Sequence, residues 1–136
     1  MGTILFVEDA RGCQQAIGAA LQLRGFRVTL ASTGHEAMEI LKTESPMLVL
    51  LDLALPDVNG MDVLRHMQDG FRLSRIPVIV FTADVSAQRR KEAESLGALA
   101  VLVKSRVSLG QLIDAVKGCI AADIAVPEAF PRLAAS

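Results

Sequence analysis

Five short apolar segments recur along the chain, and their spacing constrains the fold more than any other feature of the sequence. They are Ile4–Val7, Arg27–Leu30, Met47–Leu51, Ile76–Phe81 and Leu99–Val103. Four of them are rich in Val, Ile, Leu or Phe without polar alternation, which is typical of strands buried on both faces of a parallel sheet. The second segment is more mixed, so we expect it at an edge of the sheet.

Helical patterns separate these segments. Apolar residues recur at helical spacing from Cys13 to Leu21, and Gly25 follows as a C-terminal cap. Thr33 and Glu36 have the spacing of a capping box, which predicts that a second helix begins there.

Three further helices are predicted downstream. Met61–Met67 carries a short apolar stripe, and 86–96 carries a poorer one that ends at Gly97. Ser108 and Gln111 form a second capping box, which opens the most regular amphipathic helix of the chain. Its apolar stripe consists of Leu109, Leu112, Ile113, Val116 and Ile120.

A strand followed by a helix, five times over, predicts an α/β fold with helices on both faces of a parallel sheet. Five such units fit a doubly wound, flavodoxin-like, five-stranded parallel sheet with strand order 2-1-3-4-5, whereas a closed eight-stranded barrel needs about 250 residues. We expect one domain over residues 1–121. Residues 122–136 contain Pro127 and Pro131 without periodicity and are interpreted as a C-terminal tail.

Composition excludes several classes of protein. The chain has 136 residues, 51% of them hydrophobic, and a net charge of −1, which argues against intrinsic disorder and against binding to a nucleic-acid backbone. Its strongest apolar run is interrupted by Asp52 and is too short to span a membrane. Cys13 and Cys119 are far apart and have no metal-ligand spacing, as expected for thiols in a reducing compartment. We expect a cytoplasmic protein.

Polar side chains follow four of the five predicted strands. Glu8 and Asp9 come after the first strand, Asp52 after the third, Thr82 after the fourth and Lys104 after the fifth. Ligands of open α/β sheets bind beyond the carboxyl ends of the strands, where the strand order reverses, and here that point lies between the first and third strands. The pattern predicts one site that contains all five residues.

The acidic residues have different alternative interpretations. Glu8 and Asp9 could instead cap the helix that follows them. Asp52 lies between Leu51 and Leu53 in an apolar run, and a carboxylate buried there requires partners.

Three carboxylates in one pocket repel one another and take up protons unless a cation neutralises them. Hard oxygen ligands that are few and partly hydrated are suited to Mg²⁺. An added ammonium and hydroxyl make a site for a tetrahedral anion, which is the equipment for phosphoryl transfer. Asp52 has the central position, and a carboxylate can be the attacking nucleophile.

Four motifs hold these residues: Ile4–Asp9, Leu50–Gly60, Val78–Ala83 and Gly97–Lys104. Through these motifs and their spacing, the chain resembles the receiver domain of response regulators in two-component signalling over residues 3–121. The resemblance implies that Asp52 accepts a phosphoryl group from a phosphohistidine on a histidine kinase or a histidine phosphotransfer protein.

The resemblance also implies the metal ligands. Mg²⁺ would be bound by Asp9, Asp52 and the backbone carbonyl of Ala54, with Glu8 acting through water.

Two further residues have implied roles. Lys104 would pair with the phosphoryl group, and Thr82 would donate its hydroxyl to a phosphoryl oxygen and move inward on activation. The face formed by helix 4, strand 5 and helix 5 would then contact a downstream protein. Such a domain is no enzyme beyond its own phosphorylation and dephosphorylation.

Two positions depart from the family. Val101 stands where receivers usually have Tyr or Phe, and Ser105 follows Lys104 where they usually have Pro in a cis bond. A cis bond before a residue other than proline costs roughly 2.5–4 kcal/mol. We therefore expect a trans bond here, with the Lys104 amine still able to reach Asp52 through its flexible stem.

Two other functions fit part of this pattern. A phosphatase of the haloacid-dehalogenase type also uses an Asp nucleophile, Thr or Ser, Lys and Mg²⁺, but in that family a second Asp stands where this chain has Ala54. A pseudo-receiver keeps the fold as a binding module without phosphorylation, and the departures at Val101 and Ser105 leave it open.

Two charged clusters are interpreted as solvated helix faces. His35 with Glu36 and Glu39 could suggest metal ligands, but no second histidine has matching spacing. The basic run Arg89–Lys91 is interpreted in the same way, with a possible role in contacting an acidic partner.

Overall fold

Five parallel strands form one sheet in the order β2-β1-β3-β4-β5, as predicted. The computed structural model describes residues 2–83 and 85–125, with side chains as far as residue 121. The elements are β1 (Thr3–Val7), α1 (Arg11–Leu23), β2 (Arg27–Ala31), α2 (Gly34–Thr43), β3 (Leu48–Leu51), α3 (Gly60–Asp69), β4 (Val78–Thr82), α4 (Ala87–Ser95), β5 (Ala100–Val103) and α5 (Leu109–Ala125). Short 3₁₀ turns occupy Leu73–Arg75 and Lys104–Arg106.

The central strands are buried on both faces, which explains their continuous apolar character. In β1, Ile4 and Phe6 pack in the layer of α1 and α5. Leu5 and Val7 pack in the opposite layer, which contains α2, α3 and α4. Because successive side chains of a strand point to opposite faces, each central strand contributes to both cores. The more mixed β2 lies at an edge, as expected.

Strand β4 begins at Val78, two residues later than the sequence predicts. Pro77 has no N–H to donate to the sheet, although its carbonyl accepts the Val49 N–H at 2.9 Å. The other strand boundaries agree with the prediction to within one residue.

The second predicted capping box forms completely. Ser108 Oγ accepts the Gln111 N–H at 3.1 Å, and the Ser108 N–H donates to Gln111 Oε1 at 2.8 Å. The first box forms in part, because Thr33 accepts the Glu36 N–H but the Glu36 carboxylate accepts the Ser32 N–H instead.

Helix α4 contributes little to the apolar core. Ala93 is the one buried residue of α4 in the described chain, in agreement with its thin apolar stripe.

Helix α5 extends to Ala125, past the expected boundary at residue 121, and residues 126–136 of the expected tail lie outside the described residues. Among the described helices, none has the length and apolar character to cross a membrane.

Candidate functional site

The carboxyl ends of four strands deliver polar groups to one edge of the sheet. Glu8 and Asp9 follow β1, Asp52 follows β3, Thr82 ends β4 and Lys104 follows β5. The strand order reverses between β1 and β3, so these residues surround the crevice in which ligands of doubly wound sheets bind.

Asp52 is 4% exposed and has partners on both carboxylate oxygens. The Thr82 hydroxyl donates to Oδ1 at 2.9 Å, and the Ala54 N–H donates to the same oxygen at 3.1 Å. The Lys104 ammonium donates to Oδ2 at 3.2 Å. These bonds supply the partners that a buried carboxylate in an apolar run requires.

Glu8 is 1% exposed, and its carboxylate is directed into the crevice. Oε1 accepts from Lys104 Nζ at 2.5 Å, and Oε2 accepts the Ala10 N–H at 3.1 Å. Helix α1 has Ala10 at its N-cap and no side-chain cap, so neither Glu8 nor Asp9 caps that helix. Asp9 is exposed at the mouth of the crevice.

Lys104 bridges the two buried carboxylates. Partial burial favours its neutral form, but the hydrogen bond to Glu8 and the charges of Asp52 and Glu8 outweigh burial and raise the pKa of Lys104 above its ordinary value. The bond between Lys104 and Ser105 is trans, as expected, and the amine nevertheless reaches Asp52.

Glu8, Asp9 and Asp52 each offer a carboxylate oxygen, and these oxygens lie within 4.8 Å of one another. Together with the Lys104 ammonium, the three carboxylates have a formal charge of −2 (−3 + 1), which a divalent cation would neutralise. Oxygen donors of this number, one of them at the solvent boundary, fit a partly hydrated Mg²⁺.

The loop after Asp52 folds closely over the end of β3. A side chain at Gly60 would place its Cβ 2.5 Å from Leu53 Cα and 2.6 Å from Asp52 O, so this close approach requires glycine. Ala54 and Asn59 form an antiparallel bridge across the loop. Asn59 also caps α3, because its Oδ1 accepts the Met61 N–H at 2.9 Å, a role that Asn before a helical stripe could have indicated.

Helix α4 is tied to its neighbours by polar contacts. Arg89 donates to Asn59 Oδ1 at 3.1 Å, and Arg65 of α3 pairs with Glu92 at 2.6 Å. Arg89 therefore differs from the expectation of a solvated face, since it contacts the loop that follows Asp52.

Gln14 of α1 holds the loop that contains Glu8 and Asp9, a role that the sequence did not indicate. It is 8% exposed, and its amide donates to the Glu8 carbonyl and, at 3.0 Å, to Ser32 Oγ.

Cys13 lies beside the same loop, where burial and then the charge of Glu8 raise its thiol pKa to about 11. This thiol is therefore protonated at neutral pH.

His35, Glu36 and Glu39 are exposed, and Glu39 pairs with Lys42, as expected of a solvated face. His35 differs from that expectation in one respect, because its ring Nδ1 lies 2.5 Å from Asp57 Oδ2. No local sequence pattern indicates this contact, because the two residues are 22 positions apart.

The fold and the crevice define a doubly wound α/β domain with an acidic, lysine-bridged site at the switch point of the sheet. The sequence profile of the response regulator receiver domain matches residues 4–117. The chain belongs to the response regulator receiver domain family of two-component systems.

Individual relatives agree with this assignment. Sporulation initiation phosphotransferase F of Bacillus subtilis is 32% identical over 114 residues, which cover 84% of this chain and 90% of that protein. Two further curated relatives are longer, and the match spans 36% and 40% of their lengths.

Solved structures show the same fold. The CheY-like receiver domain protein of Methanospirillum hungatei JF-1 has a TM-score of 0.84 at 24% identity, covering 91% of this chain and 97% of that one. The Mn²⁺-bound form of response regulator Rcp1 has a TM-score of 0.75 at 28% identity, covering 89% and 93%.

Proposed function

We propose that Asp52 is the phosphoacceptor of this receiver domain and that its donor is the phosphohistidine of a histidine kinase or a histidine phosphotransfer protein. The observation that carries the proposal is the set of groups around Asp52. A buried carboxylate at the switch point receives an ammonium on one oxygen and a hydroxyl on the other.

In the proposed transfer, an oxygen of Asp52 attacks the phosphorus while the P–N bond of the phosphohistidine breaks. The imidazole leaves with the electron pair, and Asp52 becomes an acyl phosphate. Lys104 stands where its charge offsets that of the transferred group, and the Thr82 hydroxyl exchanges its bond to Asp52 for one to a phosphoryl oxygen. Positioning and charge neutralisation are the main sources of rate in this chemistry.

Asp9, Asp52 and the Ala54 carbonyl are the proposed ligands of Mg²⁺, with Glu8 acting through water. When bound, the ion supplies positive charge to the oxygens of the phosphoryl group. The acid cluster supports this assignment, as does the Mn²⁺-bound form of the related regulator Rcp1.

The proposal confines the chemistry to self-phosphorylation and self-dephosphorylation. A phosphatase of the haloacid-dehalogenase type would need a second acid two residues after its nucleophile, and Ala54 offers none. We expect the domain to act in the cytoplasm, since Cys13 and Cys119 are free thiols.

The proposal is tested by intact-mass measurement after incubation with acetyl phosphate and Mg²⁺. We expect wild type to gain one phosphoryl mass and Asp52→Asn, which removes the nucleophile while keeping its size, to gain none. Asp62→Asn is the matched control, because Asp62 is an exposed acid on α3 whose partner is Arg65, and it should label like wild type. A wild-type chain that never gains the mass would favour a pseudo-receiver.

The signal is proposed to leave through the face of α4, β5 and α5. Val101 lacks the ring that receivers usually use there, and α4 is held by the contacts of Arg89 and Arg65 with little apolar burial. A helix held in this way opens at low cost.

We therefore expect the amides of Ala87–Ser95 to exchange hydrogen faster when a stable phosphoryl mimic and Mg²⁺ are bound. Hydrogen-exchange mass spectrometry on wild type, with Asp52→Asn as the control that should not respond, measures this. Unchanged exchange in α4 of the loaded wild type would contradict it.

A further inference from the structure

The start of α2 holds the loop that follows Asp52. Asp57 Oδ1 accepts the Gly34 N–H at 2.9 Å, and Oδ2 accepts the His35 N–H at 2.9 Å. The His35 ring contacts the same carboxylate. Partial burial opposes the charge of Asp57, but these hydrogen bonds, led by the His35 and Gly34 N–H groups, lower the pKa of Asp57 below its ordinary value. The contact is therefore charge-assisted at neutral pH.

The backbone of Gly34 also lies close to the Val58 side chain of the loop. A Cβ built on Gly34 would lie 2.2 Å from Val58 Cγ2, so a side chain at Gly34 would displace the Val58 side chain. Helix α2 has a cap of its own in Thr33, which accepts the Glu36 N–H at 3.0 Å. Asp57 thus joins two elements, whereas Thr33 acts within one.

The loop between Asp52 and Gly60 connects Asp57 to the acid cluster. Ala54 and Asn59 are bridged, and the Gly60 N–H donates to the Leu53 carbonyl at 2.9 Å, which closes the loop at its base. Asp57 lies at the outer end of this closed unit. A loop fixed at its base and its outer end has little freedom to move the Ala54 backbone.

We propose that Asp57 is a positioning residue of the metal centre. By anchoring the loop to α2, it fixes the Ala54 carbonyl where that oxygen completes the ligand set of Asp9 and Asp52. This inference rests on the proposed function, because it assumes that the cluster binds a divalent cation.

The test measures Mn²⁺ binding to the full chain by electron paramagnetic resonance, without a phosphoryl donor. Groups that orient metal ligands typically contribute about 10- to 100-fold to affinity, and we expect Asp57→Ala to weaken Mn²⁺ binding by about 10-fold. Thr33→Ala is the matched control, since it destabilises the same helix end but leaves the anchor of the loop intact. It should lower the melting temperature and keep an affinity close to that of wild type.

Two further measurements distinguish an effect of the lost charge from an effect of the loop's position. Asp57→Asn keeps one carbonyl oxygen and should have a Mn²⁺ affinity between those of wild type and Asp57→Ala. Asp62→Asn removes an equal charge from an exposed site and should bind Mn²⁺ as tightly as wild type. The loss in Asp57→Ala should persist at high salt, which screens charges acting through solvent.

Three results would overturn the inference. Wild-type affinity in Asp57→Ala would remove the positioning role and leave the proposed function standing. Equal weakening in Thr33→Ala would assign the effect to the stability of α2. A wild-type chain that binds no Mn²⁺ would overturn both the positioning role and the metal site.

Discussion

Replacing Lys104 with Met is expected to lower the free energy of unfolding by about 3 kcal/mol in metal-free buffer and to abolish phosphoryl labelling. The ammonium bridges Glu8 and Asp52, whose side chains are 1% and 5% exposed. Its removal leaves two buried carboxylates facing each other without a cation. Breaking a buried pair typically costs 3–5 kcal/mol, and the 24% exposure of Lys104 places the effect near the lower end, about 3 kcal/mol.

Mg²⁺ should recover part of the stability of Lys104→Met, because a divalent cation restores positive charge between the carboxylates. It should not recover labelling, since no other ammonium would meet the phosphoryl group. Urea denaturation with and without Mg²⁺ measures the first quantity, and intact mass after acetyl phosphate measures the second. Lys117→Met, an exposed change on α5, controls for the loss of one lysine. A Lys104→Met chain as stable as wild type would show that the bridge contributes little to the fold.

The fold was predictable because the apolar pattern and the chain topology agree. Apolar runs of strand length alternate with helical stripes, and few arrangements of five such units are compatible with right-handed crossovers. The errors are local. Pro77 shortens β4 because a residue without N–H cannot join the ladder on both sides, and Glu36 reaches Ser32 because a long carboxylate has more than one N–H within range.

The placement of the site residues was predictable for a related reason. Parallel strands end at the same edge, so residues that follow different strands become neighbours without any further information. The structure brings Glu8, Asp52, Thr82 and Lys104 into hydrogen-bond contact in this way. Their roles in phosphoryl transfer stay predictions.

The contacts that support the site were not predictable. Asp57 reaches the start of α2, Gln14 reaches the Glu8 carbonyl, and Arg89 reaches Asn59. The contacts of Asp57 and Arg89 join segments that are distant in the sequence, and the contact of Gln14 joins α1 to the loop just before it. Each depends on the path that one side chain takes to a neighbouring element. Periodicity reports which face a residue occupies, but it carries no information about which backbone group that residue meets.

The Asp9→Ala variant should show the metal dependence of the site most clearly. We expect it to lose phosphoryl labelling, while its free energy of unfolding stays the same or rises slightly. Asp9 is exposed and lies beside two buried carboxylates, so its removal relieves like-charge repulsion in metal-free buffer. Wild type should gain about 2.7 kcal/mol of stability at a Mg²⁺ concentration 100-fold above its Kd, whereas the variant should gain little. Urea denaturation with and without Mg²⁺ measures the gain in stability, and intact mass after acetyl phosphate measures the labelling. Asp69→Ala, an exposed change at the far end of α3, should respond like wild type, and normal labelling of Asp9→Ala would refute its assignment as a ligand.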